Sequence, residues 1–393
     1  KDKPIMIIAN TIKGYGVDFA ADKNNYHGKA LDKEQALQEL AATFPIQEAY
    51  AGITEFKPQV PNSRPLTEKS NSGNTTLPAY TLGELIATRK AYGQALAALG
   101  NTYPAIISLD AEVSNSTFAE IFKQAHPNKF IECFIAEQNM VGMGIGLNQC
   151  DKITFISTFG AFMTRAHDQI RMAAIGQSTI KLVGSHAGIS IGEDGPSQMA
   201  LEDIALMCAV PNSIVLYPCD AVSAGKLVEQ MVEYKDGIGY LRTTRGATPV
   251  IYKPDEQFPI GECKILRQSN QDVACIVAAG ITVFESLKAY EELKKQNIFV
   301  AVIDLYCIKP FDVATVSTVA MASNNRIITV EDHYIQGGIG QTICGSLAST
   351  GMQITNLAIA QVPQSGKAED LLNAYGISAQ HIVKAVMLSR VRL

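Results

Sequence analysis

From about Pro78 onward the chain alternates short apolar runs with longer amphipathic stretches, and this alternation limits its fold more than any other feature. The runs A-I-I-S-L, F-I-E-C-F-I-A, I-T-F-I-S-T, I-K-L-V-G, S-I-V-L-Y and G-I-G-Y-L-R read as strands. Residues 82–99 and the stretch F-M-T-R-A-H-D-Q-I-R-M-A-A-I read as helices. Strands apolar on both faces, with helices between them, predict an α/β fold built on a mostly parallel sheet covered on both sides. From about Glu262 the pattern repeats on a smaller scale, with strands V-A-C-I-V-A-A, I-F-V-A-V-I-D, R-I-I-T-V-E and I-T-N-L-A-I-A.

The first forty-odd residues read as strand, Gly-rich loop (K-G-Y-G) and a helix from about Asp32. Residues 45–78 carry five prolines among Ser, Asn, Thr and Gly, which predicts an extended linker. The expected division is therefore 1–46 as the tail of one domain, 47–78 as linker, and two consecutive three-layer α/β domains over 79–255 and 256–393. The chain opens with Lys1 and runs at once into P-I-M-I-I-A-N, so it is expected to begin inside a domain.

Charge and cysteine usage exclude several classes of function. The net charge is −5 and no basic run interleaves with aromatics, so nucleic acid is not an expected partner. The eight cysteines form no C-x-x-C and no zinc spacing; most sit in apolar runs and read as buried free thiols, which suits a reducing, cytoplasmic setting. No run approaches the roughly 20 apolar residues of a membrane span, and no signal peptide is evident.

In open parallel sheets, ligands bind beyond the carboxyl ends of the strands. Chemistry-bearing residues gather at those ends here. Asp110 ends A-I-I-S-L-D, and Glu137 follows F-I-E-C-F-I-A directly. Phe159 and Phe162 follow I-T-F-I-S-T, Ser185 and His186 follow I-K-L-V-G, and Arg242 and Arg245 come at the end of the last strand. A carboxylate at a buried strand mouth is costly, because desolvation disfavours its charged form. The loop over 185–203, S-H-A-G-I-S-I-G-E-D-G-P-S-Q-M-A-L-E-D, adds polar groups suited to hydroxyls: His186, Glu193, Asp194 and Gln198.

These segments resemble transketolase, nearest to the animal-type branch of that family. The motifs are A-T-R-K-A-Y-G-Q-A-L, F-I-A-E-Q-N-M, S-T-F-G-A-F-M-T-R-A-H-D-Q-I-R-M, G-S-H-A-G-I-S-I-G-E-D-G-P-S-Q, I-K-P-F-D and T-V-E-D-H-Y-I-Q-G-G-I-G. The resemblance spans nearly the whole chain, with motifs of three domains in order. It implies that residues 1–46 are the end of a diphosphate-binding domain, that 79–255 bind the cofactor's pyrimidine, and that 256–393 form the family's C-terminal domain. The implied activity is reversible transfer of a two-carbon ketol unit from a ketose phosphate to an aldose phosphate with thiamine diphosphate, as in the pentose phosphate pathway.

Residue by residue, the resemblance implies that Glu137 hydrogen-bonds the aminopyrimidine and drives deprotonation of the thiazolium carbon. Phe162 would stack on the pyrimidine, with Phe159 beside it and Asp110 near the cofactor at a subunit interface. Arg89, Ser114 and Arg245 would hold the sugar phosphate. His186 and Asp194 would bind substrate hydroxyls, and His27 would line the substrate channel. Gln198 stands where part of the family has histidine; a neutral amide positions substrate but carries no proton near neutral pH. Each residue has a plain structural alternative: Glu137 as a helix cap, the two phenylalanines as core, and Arg89 and Arg242 as surface cations.

The family's metal motif, G-D-G…N, does not occur in this sequence. Magnesium or calcium ligands are therefore expected in an N-terminal domain outside this chain. The expected assembly is a homodimer, with the chain alone inactive. A split-gene subunit, a deoxyxylulose-phosphate synthase and a non-catalytic module of the same fold remain as alternatives.

Overall fold

The computed structural model describes residues 8–23, 26, 31–43 and 75–391. Contacts group the chain into two units, Lys1–Ser63 and Arg64–Leu393. In the first, helix α1 (Lys33–Thr43) starts where Asp32 Oδ1 accepts the Gln35 N–H at 2.9 Å, an N-cap that satisfies a free helix donor. The Glu39 carboxylate accepts the N–H groups of Asp18 and Phe19, tying that helix to the preceding loop. Gly14 and Gly16 take φ of 75° and 85°, so K-G-Y-G is a tight turn open to glycine. His27, most of the expected strand over 4–10 and most of the expected linker lie outside the described residues.

The second unit begins with β1 (Leu85–Ala87), α2 (Thr88–Thr102), β2 (Ile106–Asp110), α3 (Ser114–Thr117), α4 (Ala119–Ala125) and β3 (Phe130–Glu132). It continues with α5 (Glu137–Gln149), β4 (Ile153–Phe159), α6 (His167–Ile175), β5 (Lys181–Ser185), α7 (Asp203–Cys208) and β6 (Ile214–Leu216). Then come α8 (Ala221–Glu233), β7 (Gly239–Arg242), β8 (Ala247–Pro249), β9 (Lys264–Arg267), β10 (Asp272–Ala278) and α9 (Thr282–Lys294). The last elements are β11 (Phe299–Asp304), β12 (Cys307–Lys309), α10 (Val313–Ala322), β13 (Arg326–Tyr334), α11 (Ile339–Leu347), β14 (Gln353–Ile359), α12 (Ala368–Ala374) and α13 (Ala379–Val391).

A seven-stranded sheet has the order β12-β6-β7-β5-β4-β2-β3, parallel except for β12. A five-stranded sheet has the order β14-β13-β10-β11-β9, parallel except for β9. Alternate residues of each strand feed two cores. Ile106, Phe155, Val183 and Leu241 pack with α2 and α8, while Leu109, Ile156, Leu182 and Tyr240 join α5 and α6 on the other face. This is why the strands read as unbroken apolar runs.

Two expectations needed correction. The helix expected over 82–99 starts only at Thr88, because Leu85–Ala87 pairs antiparallel with Ala247–Pro249. The strand expected over 130–136 stops at Glu132, because Phe134 turns with φ of 55° and exposes both itself and Ile135. Glu137 therefore opens a helix instead of ending a strand. Cys307–Lys309, a strand not expected from the sequence that overlaps the start of the I-K-P-F-D motif, pairs with β6 and so adds to the larger sheet a strand from the second half of the unit. The thiols are free, with Cys133, Cys219, Cys275 and Cys307 buried but Cys150 exposed. No described helix is long and apolar enough to cross a membrane.

Candidate active site

The carboxyl ends of the parallel strands carry the expected side chains, in three groups. The first is acidic and aromatic. Glu137 is 3% exposed at the first residue of α5, where a carboxylate is favoured by the helix's positive end. Arg165 Nε lies 2.8 Å from its Oε2, close enough for an ion pair but without the alignment of a hydrogen bond. That oxygen thus has no hydrogen-bond donor among the described residues. Arg165 shares one turn of 3₁₀ helix, Phe162–Ala166, with Phe162. The Phe162 ring lies parallel to Phe159 at 5.1 Å, and Phe159 in turn stacks on His186 at 3.9 Å. Phe159 is buried and Phe162 half-buried, so Phe162 is the partly exposed end of the three-ring stack.

His186 follows β5 with φ of 55°, a conformation that turns the chain sharply into the loop. Its Nδ1 bonds Ser185 Oγ at 3.0 Å. Burial, with the nearby Arg89 and Arg245 charges, pushes the imidazole down to about 3, so it is neutral at ordinary pH. Asp110 is fully buried; its Oδ1 accepts the Val113 N–H and its Oδ2 accepts the Thr117 hydroxyl. Burial outweighs these bonds and raises its carboxyl to about 7.

The second group is cationic. Arg89 Nε donates to the Arg245 carbonyl at 3.2 Å, and its Nη1 donates to the Ser116 carbonyl. Ser114 starts the same short helix, so Arg89 ties that helix to the Arg245 segment. Arg245 Nη1 donates to Asp194 Oδ1 at 3.3 Å and to the Ile191 carbonyl. Arg89, Arg245, Ser190, Glu193 and Lys367 line an open cavity of about 350 Å³. Ser190 Oγ is buried there with no hydrogen-bond partner among the described residues. Gln198 is half-buried in the same loop, its N–H bonded to the Gly195 carbonyl.

The third group was missed as a unit. Arg242 is fully buried and not the surface cation considered above: its Nε donates to Asp203 and its Nη1 to Asp332 at 2.9 Å. Its Nη2 donates to the carbonyls of Ala200 and Asp332, and the guanidinium lies over Tyr217 at 4.4 Å. Asp332 belongs to β13 of the smaller sheet, and Gly188, two residues after His186, sits against its carboxylate so closely that no Cβ would fit. The T-V-E-D-H-Y motif held this signal, but only as a string of polar residues in an apolar setting.

Residues 84–250 match the family description "Transketolase, pyrimidine binding domain", and residues 261–382 match "Transketolase, C-terminal domain". The chain belongs to the transketolase family. It is 48% identical to transketolase-like protein 2 of Mus musculus over 388 residues, which is 98% of this chain and 61% of that protein. It is 46% identical to the transketolase of Homo sapiens, over 98% of this chain and 62% of that one. The chain thus spans about three-fifths of the length of these transketolase relatives. Among solved structures, one described as "Split gene transketolase, inactive beta4 tetramer" is 34% identical, with a TM-score of 0.71, over 77% of this chain and 97% of that chain. The transketolase of Campylobacter jejuni shares the fold at a TM-score of 0.68 and 21% identity, over 80% of this chain and 48% of that one.

The residues present fit the pyrimidine end of thiamine diphosphate, the cofactor of the transketolase family. A buried carboxylate oxygen without a hydrogen-bond donor suits a protonated ring nitrogen, and the half-buried Phe162 ring suits a flat heteroaromatic ring. No group of three or more His, Cys, Asp or Glu among the described residues could hold a metal ion.

Proposed function

We propose that this chain is the pyrimidine-activating part of a transketolase, moving two-carbon ketol units from ketose phosphates to aldose phosphates in the cytoplasm, as in the pentose phosphate pathway. The observation that carries the reading is the buried Glu137 oxygen left without a donor beside the Phe162–Phe159–His186 stack. Thiamine diphosphate, when bound, supplies the electron sink that cleaving a bond next to a ketose carbonyl requires.

The chain's own residues supply the rest. Glu137 accepts a hydrogen bond from the protonated side of the pyrimidine and is held in place by Arg165. Phe162 fixes the ring's plane and Phe159 backs it. Neutral His186 accepts or donates a hydrogen bond to a substrate hydroxyl without adding charge. Asp194 and Gln198 contact further hydroxyls. Arg89 and Arg245, with Ser114, hold the phosphate at the far end of the sugar, where the guanidinium fork suits phosphate oxygens. His27, outside the described residues, keeps in this reading only the role that the resemblance implies.

The diphosphate and a magnesium or calcium ion belong, in this reading, to a segment outside this chain. The exposed Phe134 and Ile135, next to Glu137, support a protein partner over this face, and a second copy of the complete enzyme is the expected one. The match to nearly all of a split-gene transketolase chain favours a second reading, in which a separate subunit provides that segment. Both readings give the same expectation for the chain alone. Calorimetry should find no binding of thiamine diphosphate at micromolar affinity and a coupled assay no ketol transfer. Transfer should appear once the chain is completed with a transketolase diphosphate-binding segment; a completed enzyme that binds cofactor but transfers no ketol unit would overturn the proposal.

A further inference from the structure

A cavity of about 490 Å³ opens between α13 and the paired strands β13 and β14. It lies away from the candidate active site. Arg326 and Gln353 begin their two strands and pair with each other, so the cavity sits at the amino ends, whereas Asp332 near the far end of β13 faces Arg242. Its volume falls within the roughly 300–1,000 Å³ of small-molecule pockets.

The lining has two chemical parts. Ile327, Ile354 and Leu357 come from the strands, and Ala385 and Leu388 from α13, giving an apolar body. Arg326 and Lys384 add two cations, with His381 beside them, and no carboxylate lines the space. Arg326 Nε is buried and finds no acceptor among the described residues. A buried guanidinium N–H left in that state is costly, and an anionic oxygen is the acceptor that would satisfy it best. A cation would be repelled here, and a neutral acceptor would meet the Nε–H but leave two positive charges without a counter-charge among the lining residues.

We propose that this cavity binds a small amphipathic anion, with a ring-sized apolar body against Ile354 and Leu388 and a carboxylate or phosphate on Arg326. Lys384 stands at the exposed rim and adds attraction without fixing geometry. The site is independent of the ketol-transfer reading.

Calorimetric titration of the 393-residue chain with four probes tests it: 2-naphthyl phosphate, 2-naphthoate, 2-naphthol and inorganic phosphate. At least one naphthyl anion should bind with a Kd below about 1 mM, and naphthol and inorganic phosphate should each bind about tenfold more weakly or worse. Preference for naphthyl phosphate assigns a phosphate head, and preference for naphthoate a carboxylate. Arg326→Gln should weaken the preferred anion about tenfold or more, since it removes a charge-assisted bond. Leu388→Glu changes a residue that is 57% exposed, so it should fold as the parent does and repel the anion. Equal binding of naphthol and the anions, no anion binding below about 1 mM, or an unchanged Kd in Leu388→Glu would each overturn the proposal.

Discussion

Two buried residues of the candidate site titrate in opposite senses. An unfolded aspartate ionises near 4, whereas Asp110 holds its proton to about 7. The folded state therefore binds more protons between those values, and Asp110's contribution is present below about pH 4 and lost as pH rises through 7. His186, pushed from 6.5 to about 3, works the other way: its contribution is full above about pH 6.5 and lost as pH falls toward 3. In Asp110→Asn only the first effect is removed. Thermal melting at pH 5 and 7.5 should show the gap between parent and variant shrinking as pH rises; parallel curves would contradict the assignment. A second expectation concerns the cations. In the completed enzyme, Arg245→Ala should raise KM for a phosphorylated acceptor about 10- to 100-fold with kcat little changed, and leave an unphosphorylated acceptor nearly unaffected. The steady-state parameters for the two acceptors decide it. The site residues were legible because polar groups at the ends of apolar strands stand out. Arg242 was not, since a sequence does not say that Asp203 and Asp332 will enclose it.

The elements are held by polar stitching as well as by apolar packing. The loop after β5 is joined to β7 through the Ala187 N–H and the Thr243 carbonyl, and to β13 through the Tyr334 N–H and the Leu201 carbonyl. Arg242 and Asp332 bridge the two sheets at the same place. Removing one partner of a buried pair leaves the other charge unmet, so Asp332→Ala should lower stability by about 3–5 kcal/mol, read from the urea midpoint. A loss under about 1 kcal/mol would mean that the bridge is incidental. This pairing also explains what the sequence concealed. Most strands of both sheets were readable from their apolar runs, yet β9 and β12 were not: both are short antiparallel edge strands, and β12 pairs with β6 from the first half of the unit. Leu85–Ala87 looked helical from spacing, but pairing with β8 prevailed over local preference. Phe134 and Ile135 extended an apparent strand, and their exposure points to burial by another chain instead.

At the scale of the whole molecule, the described residues supply a candidate half-site, a cationic cavity and a bridge between sheets. No group of three or more His, Cys, Asp or Glu that could hold a metal ion occurs among them. In the proposed reading the cofactor's diphosphate is held by another segment, and that reading calls for association. The chain should sediment as a dimer or larger, and Ile135→Asp should shift it toward monomer, because a charge then replaces an exposed apolar residue at the contact. Sedimentation velocity over a range of concentrations checks this, and unchanged association in the variant would place the interface elsewhere. The central claim, that Glu137 activates the cofactor through its pyrimidine, is tested most directly by proton–deuterium exchange at the thiazolium carbon of bound thiamine diphosphate. In the completed enzyme, Glu137→Ala should slow that exchange about 100-fold or more while the cofactor stays bound and the fold intact. Exchange at the parent rate, with cofactor bound, would contradict the claim.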